Sequence, residues 1–242
     1  MAEGKDKLSP KTVSFRPQAI WRVHPARYRP AQFRSGPDGD ARFSPIRSSD
    51  GSAIPTWYGA RTLSCAMMET VLHDVPAPPE EHILDVERLR DADIRVSRVR
   101  CRRALTMVDL SSKVLKRIGL QRRDLIDTPV EDYPRTREWA VRLHAETSAH
   151  GLLWISRQGD EAKALVLFGD RITESAFGIE IDREPLYEGK HLDALLTLAE
   201  RLGITQLIGL RNLRFDCSQS LLRSVGAGKR KHKQLRAQRR KS

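Results

Sequence analysis

The sequence predicts an α+β fold, a mixed β-sheet core flanked by helices with disordered termini. Three observations carry this. Apolar runs of strand length, such as residues 105–110 and 164–168, alternate with segments whose apolar residues recur at helical spacing. No internal repeat is present. At 242 residues with 39% apolar content, the chain can bury one good core and a small appendage.

Taken in order, residues 1–15 read as a flexible segment. Their start, Met1-Ala2-Glu3-Gly4-Lys5-Asp6-Lys7, is polar and of mixed charge, with no apolar run after it. A signal peptide is not expected, and a cytoplasmic location is. Ile20-Trp21-Arg22-Val23-His24 is a short strand in which Arg22 alternates with apolar neighbours. A turn follows at Asp40-Ala41-Arg42-Phe43-Ser44-Pro45, then a strand at Thr56-Trp57-Tyr58-Gly59-Ala60, then a helix from Leu63 to His73. Since Trp57 and Tyr58 are adjacent, one faces the core and the other the opposite side of the sheet. The tyrosine is assigned to the pocket. Residues 82–88, 94–100 and 105–110 read as further strands. A polar stretch with Asp127-Thr128-Pro129 leads to a helix over about residues 135–148, striped by Trp139, Ala140 and Leu143. Gly151 closes it, and strands ending at Ser156 and Phe168 follow. The last helix carries Leu192, Leu195, Leu196, Ala199 and Leu202, with Gly203 as its stop.

The helix after Tyr58 points to chemistry. Leu63, Ala66, Met67, Thr70 and Val71 form one stripe, and Cys65, Met68 and Leu72 a second on the opposite side. A helix apolar on two faces is packed on both, so Glu69 between the stripes is expected to be at least partly buried. A buried carboxylate needs paired charge or hydrogen bonds, and Arg22 and Arg42 are the expected company. The plain alternative is an exposed helix residue in a weak surface pair.

This ordered set resembles the RES domain family, named for a recurring arginine, glutamate and serine. The early-strand Arg is matched by Arg22, a Gly-Arg-Trp-Asn-like segment by Ala41-Arg42-Phe43-Ser44-Pro45, the next-strand Tyr by Tyr58 and the helix Glu by Glu69. The family's serine falls on Ser156, at the end of Gly151-Leu152-Leu153-Trp154-Ile155-Ser156. The resemblance covers roughly residues 16–190, within a domain expected over 16–205. In one departure, Asp40 and Ala41 stand where the family has glycines.

The resemblance implies a fold like that of ADP-ribosyltransferases and a toxin that breaks the nicotinamide–ribose bond of NAD, with water or phosphate as acceptor. NAD is then the substrate, with no separate cofactor and no metal. A helix-turn-helix antitoxin is the implied partner. The residues suit this chemistry. A planar guanidinium grips phosphate oxygens two at a time, which assigns Arg22 and Arg42 to the pyrophosphate and adjoining ribose. Tyr58 or Trp57 stacks on the flat cationic nicotinamide. Glu69 holds negative charge beside a ribose that becomes oxocarbenium-like as nicotinamide leaves. Ser156 supplies a hydrogen bond to the ribose or amide; no Gly-x-Ser-x-Gly elbow makes it a nucleophile. His24 and His73 flank matched segments, but a lone histidine is more often structural.

Two other readings stay open. One keeps the fold but transfers ADP-ribose to a protein target. The other, from a different class, is a basic nucleic-acid-binding protein without catalysis. Of the net charge of +12, residues 226–242 contribute eight cations (Lys229, Arg230, Lys231, Lys233, Arg236, Arg239, Arg240 and Lys241) and no acid. A basic extension is thus expected over 206–242, disordered from about 226; a solvated tail is favoured over one that contacts nucleic acid, anionic lipid or an acidic partner. Cys65, Cys101 and Cys217 are odd in number and far apart, as for reduced thiols. No apolar stretch approaches a membrane span.

Overall fold

The computed structural model describes residues 10–16, 19–36, 39–73, 83–156 and 162–207. Its strands are β1 (Thr12–Phe15), β2 (Ile20–Pro25), β3 (Ile46–Arg47), β4 (Ala53–Ile54), β5 (Thr56–Ala60), β6 (Ile83–Asp85), β7 (Ile94–Cys101), β8 (Leu105–Asp109), β9 (Gly151–Ile155), β10 (Lys163–Phe168), β11 (Phe177–Pro185) and β12 (Thr205–Leu207). Its helices are α1 (Leu63–Met68), α2 (Val86–Asp91), α3 (Ser112–Arg117), α4 (Arg122–Leu125), α5 (Tyr133–Glu146) and α6 (Gly189–Arg201). The expected basic tail lies outside the described residues.

Eight strands form one mixed sheet in the order β1-β8-β9-β10-β5-β2-β7-β11, antiparallel except for the parallel pair β8/β9. The two-residue period of its strands splits the core. Leu153, Leu165 and Leu167 join Phe15, Ile20, Trp57, Val99, Met107 and Phe177 in one cluster that draws on strands from end to end of the sheet and on none of the helices, so the sheet curls around it. Leu152, Trp154, Val166 and Phe168 face the other way and join Cys65, Met67, Leu143 and Leu195 from α1, α5 and α6. The expected α+β architecture, a mixed sheet flanked by helices, is therefore present.

Three sequence expectations need correction. The segment 1–15 is not wholly outside the fold, because residues 12–15 form the edge strand β1: Phe15 is buried and Thr12 to Phe15 pair with Val108 to Leu105. Residues 82–88 are not one strand. Asp85 accepts hydrogen bonds from the N–H groups of Glu87 and Arg88 and so starts α2. The helix after β5 is also shorter than expected. It ends at Met68, and Glu69 is its C-cap at φ −82° and ψ 0°, although Cys65, Ala66, Met67, Met68 and Leu72 are buried as the two-stripe reading requires.

A candidate active site in a split of the sheet

β2 and β5 are neighbours, yet they pair only at Trp21↔Ala60. A cleft of about 320 Å³ opens beside this junction, lined from β2 by Arg22 and Val23 and from β5 by Tyr58 and Gly59. Its size is that of a small-molecule site. Arg42, Glu69, His73, Tyr133 and Trp154 complete the wall with smaller neighbours. Gly59 is required here: a Cβ would sit 2.6 Å from both Ile20 Cγ2 and Trp57 Cζ3.

Both arginines are buried, and each is anchored through one nitrogen. Arg22 Nη1 donates to the carbonyls of Arg29, Pro30 and Gln32 at 3.3, 3.0 and 2.9 Å, and its guanidinium lies 5.3 Å from the Trp57 ring. Burial pulls its pKa down to about 10. Arg42 Nη1 donates to the Leu125 carbonyl at 3.4 Å, to Thr128 Oγ1 at 3.0 Å and to the Ile126 carbonyl. The turn that carries Arg42 is clamped by α5: Thr136 donates to the Arg42 carbonyl, and Arg137 pairs with Asp40 and donates to the Ala41 carbonyl at 3.2 Å. Asp40 thus replaces a family glycine with an ion pair. Neither cleft arginine has a carboxylate partner among the described residues.

Glu69 is half-buried in the same wall, but it makes no ion pair or hydrogen bond through its side chain among the described residues. The expected pairing with Arg22 or Arg42 is therefore corrected to proximity without contact. The physical reason is that backbone carbonyls hold each guanidinium away from it. Glu69 still acts on its surroundings. The Cys65 thiol is pushed up to about 12, first by burial, then by the charge of Glu69, with the Ser156 hydroxyl pulling the other way.

Tyr58 faces the cleft, and Trp57 lies fully buried on the other side of the sheet, stacked on Phe177 at 5.5 Å. Trp57 is thereby removed as a stacking partner for nicotinamide. The Tyr58 hydroxyl accepts from the Phe43 N–H at 3.1 Å, and burial raises its pKa to about 12, so it stays a neutral phenol. Ser156 is not brought to the cleft wall. It is 2% exposed behind it, near Cys65, and its Oγ has no hydrogen-bond partner among the described residues. His24 is structural: Nε2 pairs with Ser97 Oγ at 2.8 Å and Nδ1 with the Pro25 carbonyl at 3.0 Å.

The wall also holds groups to which sequence reasoning gave no role. His73 Nε2 lies 2.9 Å from the Tyr133 hydroxyl and 3.4 Å from Arg42 Nη2. Trp154 was legible in principle, two residues before Ser156 on the same face of β9. Nothing local marks Tyr133, which reaches the cleft only because α5 packs against the Arg42 turn. Among the described residues no three His, Cys, Asp or Glu side chains converge as metal ligands, and no helix is long and apolar enough to cross a membrane.

The RES domain model matches residues 19–186, which include every wall residue named above. The chain belongs to the RES domain family. No curated protein matches it. Among solved structures, this RES chain resembles one in the MbcT-MbcA toxin-antitoxin complex of M. tuberculosis, with TM-score 0.51 and 19% identity over 75% of this chain and 92% of that one. At that identity the likeness concerns the fold.

Proposed function

We propose that this RES protein is a toxin that cleaves the bond between nicotinamide and ribose in NAD. The observation that carries the reading is the pair of buried, carboxylate-free guanidinium groups in one cleft with Glu69. Two buried cations without acidic partners make a site for a dianion, and the pyrophosphate of NAD supplies one. Each arginine is fixed through Nη1, which leaves Nη2 and Nε to meet phosphate oxygens without a further ordering cost. Tyr58 stacks on nicotinamide. Glu69 hydrogen-bonds the ribose and stabilises the positive charge that grows there as the base departs neutral. Ser156, set behind the wall, is given no contact with substrate. The resemblance to a chain from a toxin-antitoxin complex supports a cognate antitoxin, for which the family resemblance suggests a helix-turn-helix protein.

The decisive experiment is incubation of the pure protein with NAD, followed by detection of nicotinamide and mass analysis of the ADP-ribose product. Free nicotinamide is expected. Glu69→Gln should release none while melting like the parent, and a Glu69→Gln protein that cleaves NAD at the parent rate removes the catalytic assignment.

A further inference from the structure

Tyr133 and His73 have no part in the proposed cleavage of NAD, and the role inferred for them here rests on that reaction. The Tyr133 hydroxyl lies 2.9 Å from His73 Nε2, and Arg42 Nη2 approaches the same nitrogen at 3.4 Å. A guanidinium can only donate. Nε2 is therefore the unprotonated, accepting nitrogen of a neutral imidazole, and the single phenolic proton of Tyr133 is committed to it. Toward every other neighbour the Tyr133 oxygen is an acceptor.

Its position decides the donor. The Arg42 guanidinium stands over the Tyr133 ring, 5.3 Å from the centroid, and both line the cleft. In a dinucleotide held by its pyrophosphate, the nearest donor groups are ribose hydroxyls, because both sugars are esterified directly to the phosphates. We infer that Tyr133 receives a hydrogen bond from a ribose hydroxyl and is a specificity-determining residue, with His73 as the positioning residue that fixes the phenol as an acceptor. A buried acceptor left unpaired by a deoxy sugar discriminates strongly, whereas a phenol with its proton free to turn outward would adapt.

The test uses ADP-ribose, which keeps the pyrophosphate and both sugars but has no nicotinamide to lose, together with its 2′-deoxy and 3′-deoxy analogues on either ribose. Dissociation constants are measured by calorimetry for the parent and for Tyr133→Phe, His73→Gln and His73→Leu. The parent should bind at least one deoxy analogue about 10-fold more weakly than ADP-ribose. Tyr133→Phe should bind that analogue and ADP-ribose equally. His73→Leu should lose the discrimination, and His73→Gln should keep it, since its amide oxygen can accept from both Tyr133 and Arg42. Equal binding of all analogues by the parent overturns the inference, even if Tyr133→Phe does not fold. So does unchanged discrimination in Tyr133→Phe or His73→Leu. If either result accompanies normal release of nicotinamide from NAD, the proposed function stands and only this inference falls; a parent that neither cleaves NAD nor binds ADP-ribose ends both.

Discussion

Arg42 is tied to the protein on one side and faces the cleft on the other, which changes what its replacement should do. As a pure substrate contact, Arg42→Ala would weaken NAD binding by roughly 2 to 5 kcal/mol. Because Nη1 also satisfies Leu125, Ile126 and Thr128, Arg42→Ala should lower the unfolding midpoint as well. Arg42→Lys keeps the charge but has no fork with which to serve both sides. Its nicotinamide release should fall by at least about 10-fold, and parent-like kinetics in this variant would show that the fork is not used. His24 gives a separate prediction. Burial first, and the charge of Arg22 second, depress its pKa from 6.5 to about 4. Between those values the unfolded chain binds a proton that the folded chain refuses, so stability is full above pH 6.5 and declines as pH falls toward 4, by about 3 kcal/mol in all. Urea midpoints recorded across that window should show the decline, and His24→Gln should flatten it.

At the scale of elements, the site depends on short pieces held by identifiable contacts. α1 spans only Leu63–Met68, and its start is fixed by Thr62, whose hydroxyl accepts from the Cys65 N–H at 3.1 Å. Thr62→Ala should cost about 1 kcal/mol in urea denaturation. Gly151 is less forgiving, because a Cβ there would lie 2.0 Å from the Val166 carbonyl oxygen across β9 and β10. Gly151→Ala should force those strands apart and yield little folded protein, as judged by circular dichroism. The strands with clear apolar runs, β8, β9 and β10, were legible in the sequence, as was α6, whose leucines keep helical spacing. β11 was not. Its residues Phe177–Pro185 alternate Ile179 and Ile181 with acids on a bulged edge, where Glu180 pairs with Arg98 and Arg100 at 2.6 Å instead of packing in a core. α3 and α4 are too short to show a period.

For the whole molecule, the open question is whether charge or the cleft performs the function. A nucleic-acid binder would rely on the cations of residues 226–242 and lose affinity steeply with salt. An enzyme built on the cleft should not need them. A chain ending at residue 225 should release nicotinamide from NAD at the full-length rate, while any nucleic-acid binding seen in a filter assay should vanish. Loss of NAD cleavage on that truncation would contradict the site as drawn. In cells, the parent should deplete NAD and stop growth when its antitoxin is absent, and Glu69→Gln should not.

The sequence alone determined the α+β class, the membership of Arg22, Arg42, Tyr58 and Glu69 in one ordered set, and which of Trp57 and Tyr58 turns outward. These come from local period and residue chemistry, which a chain carries without its fold. Only the tertiary structure decided that Glu69 stands apart from both arginines, that Ser156 lies behind the wall, and that His73 and Tyr133 join it. Such facts depend on where distant backbone carbonyls fall. The groups that hold Arg42 come from residues 125 to 128, more than eighty positions away, and no local pattern encodes that distance.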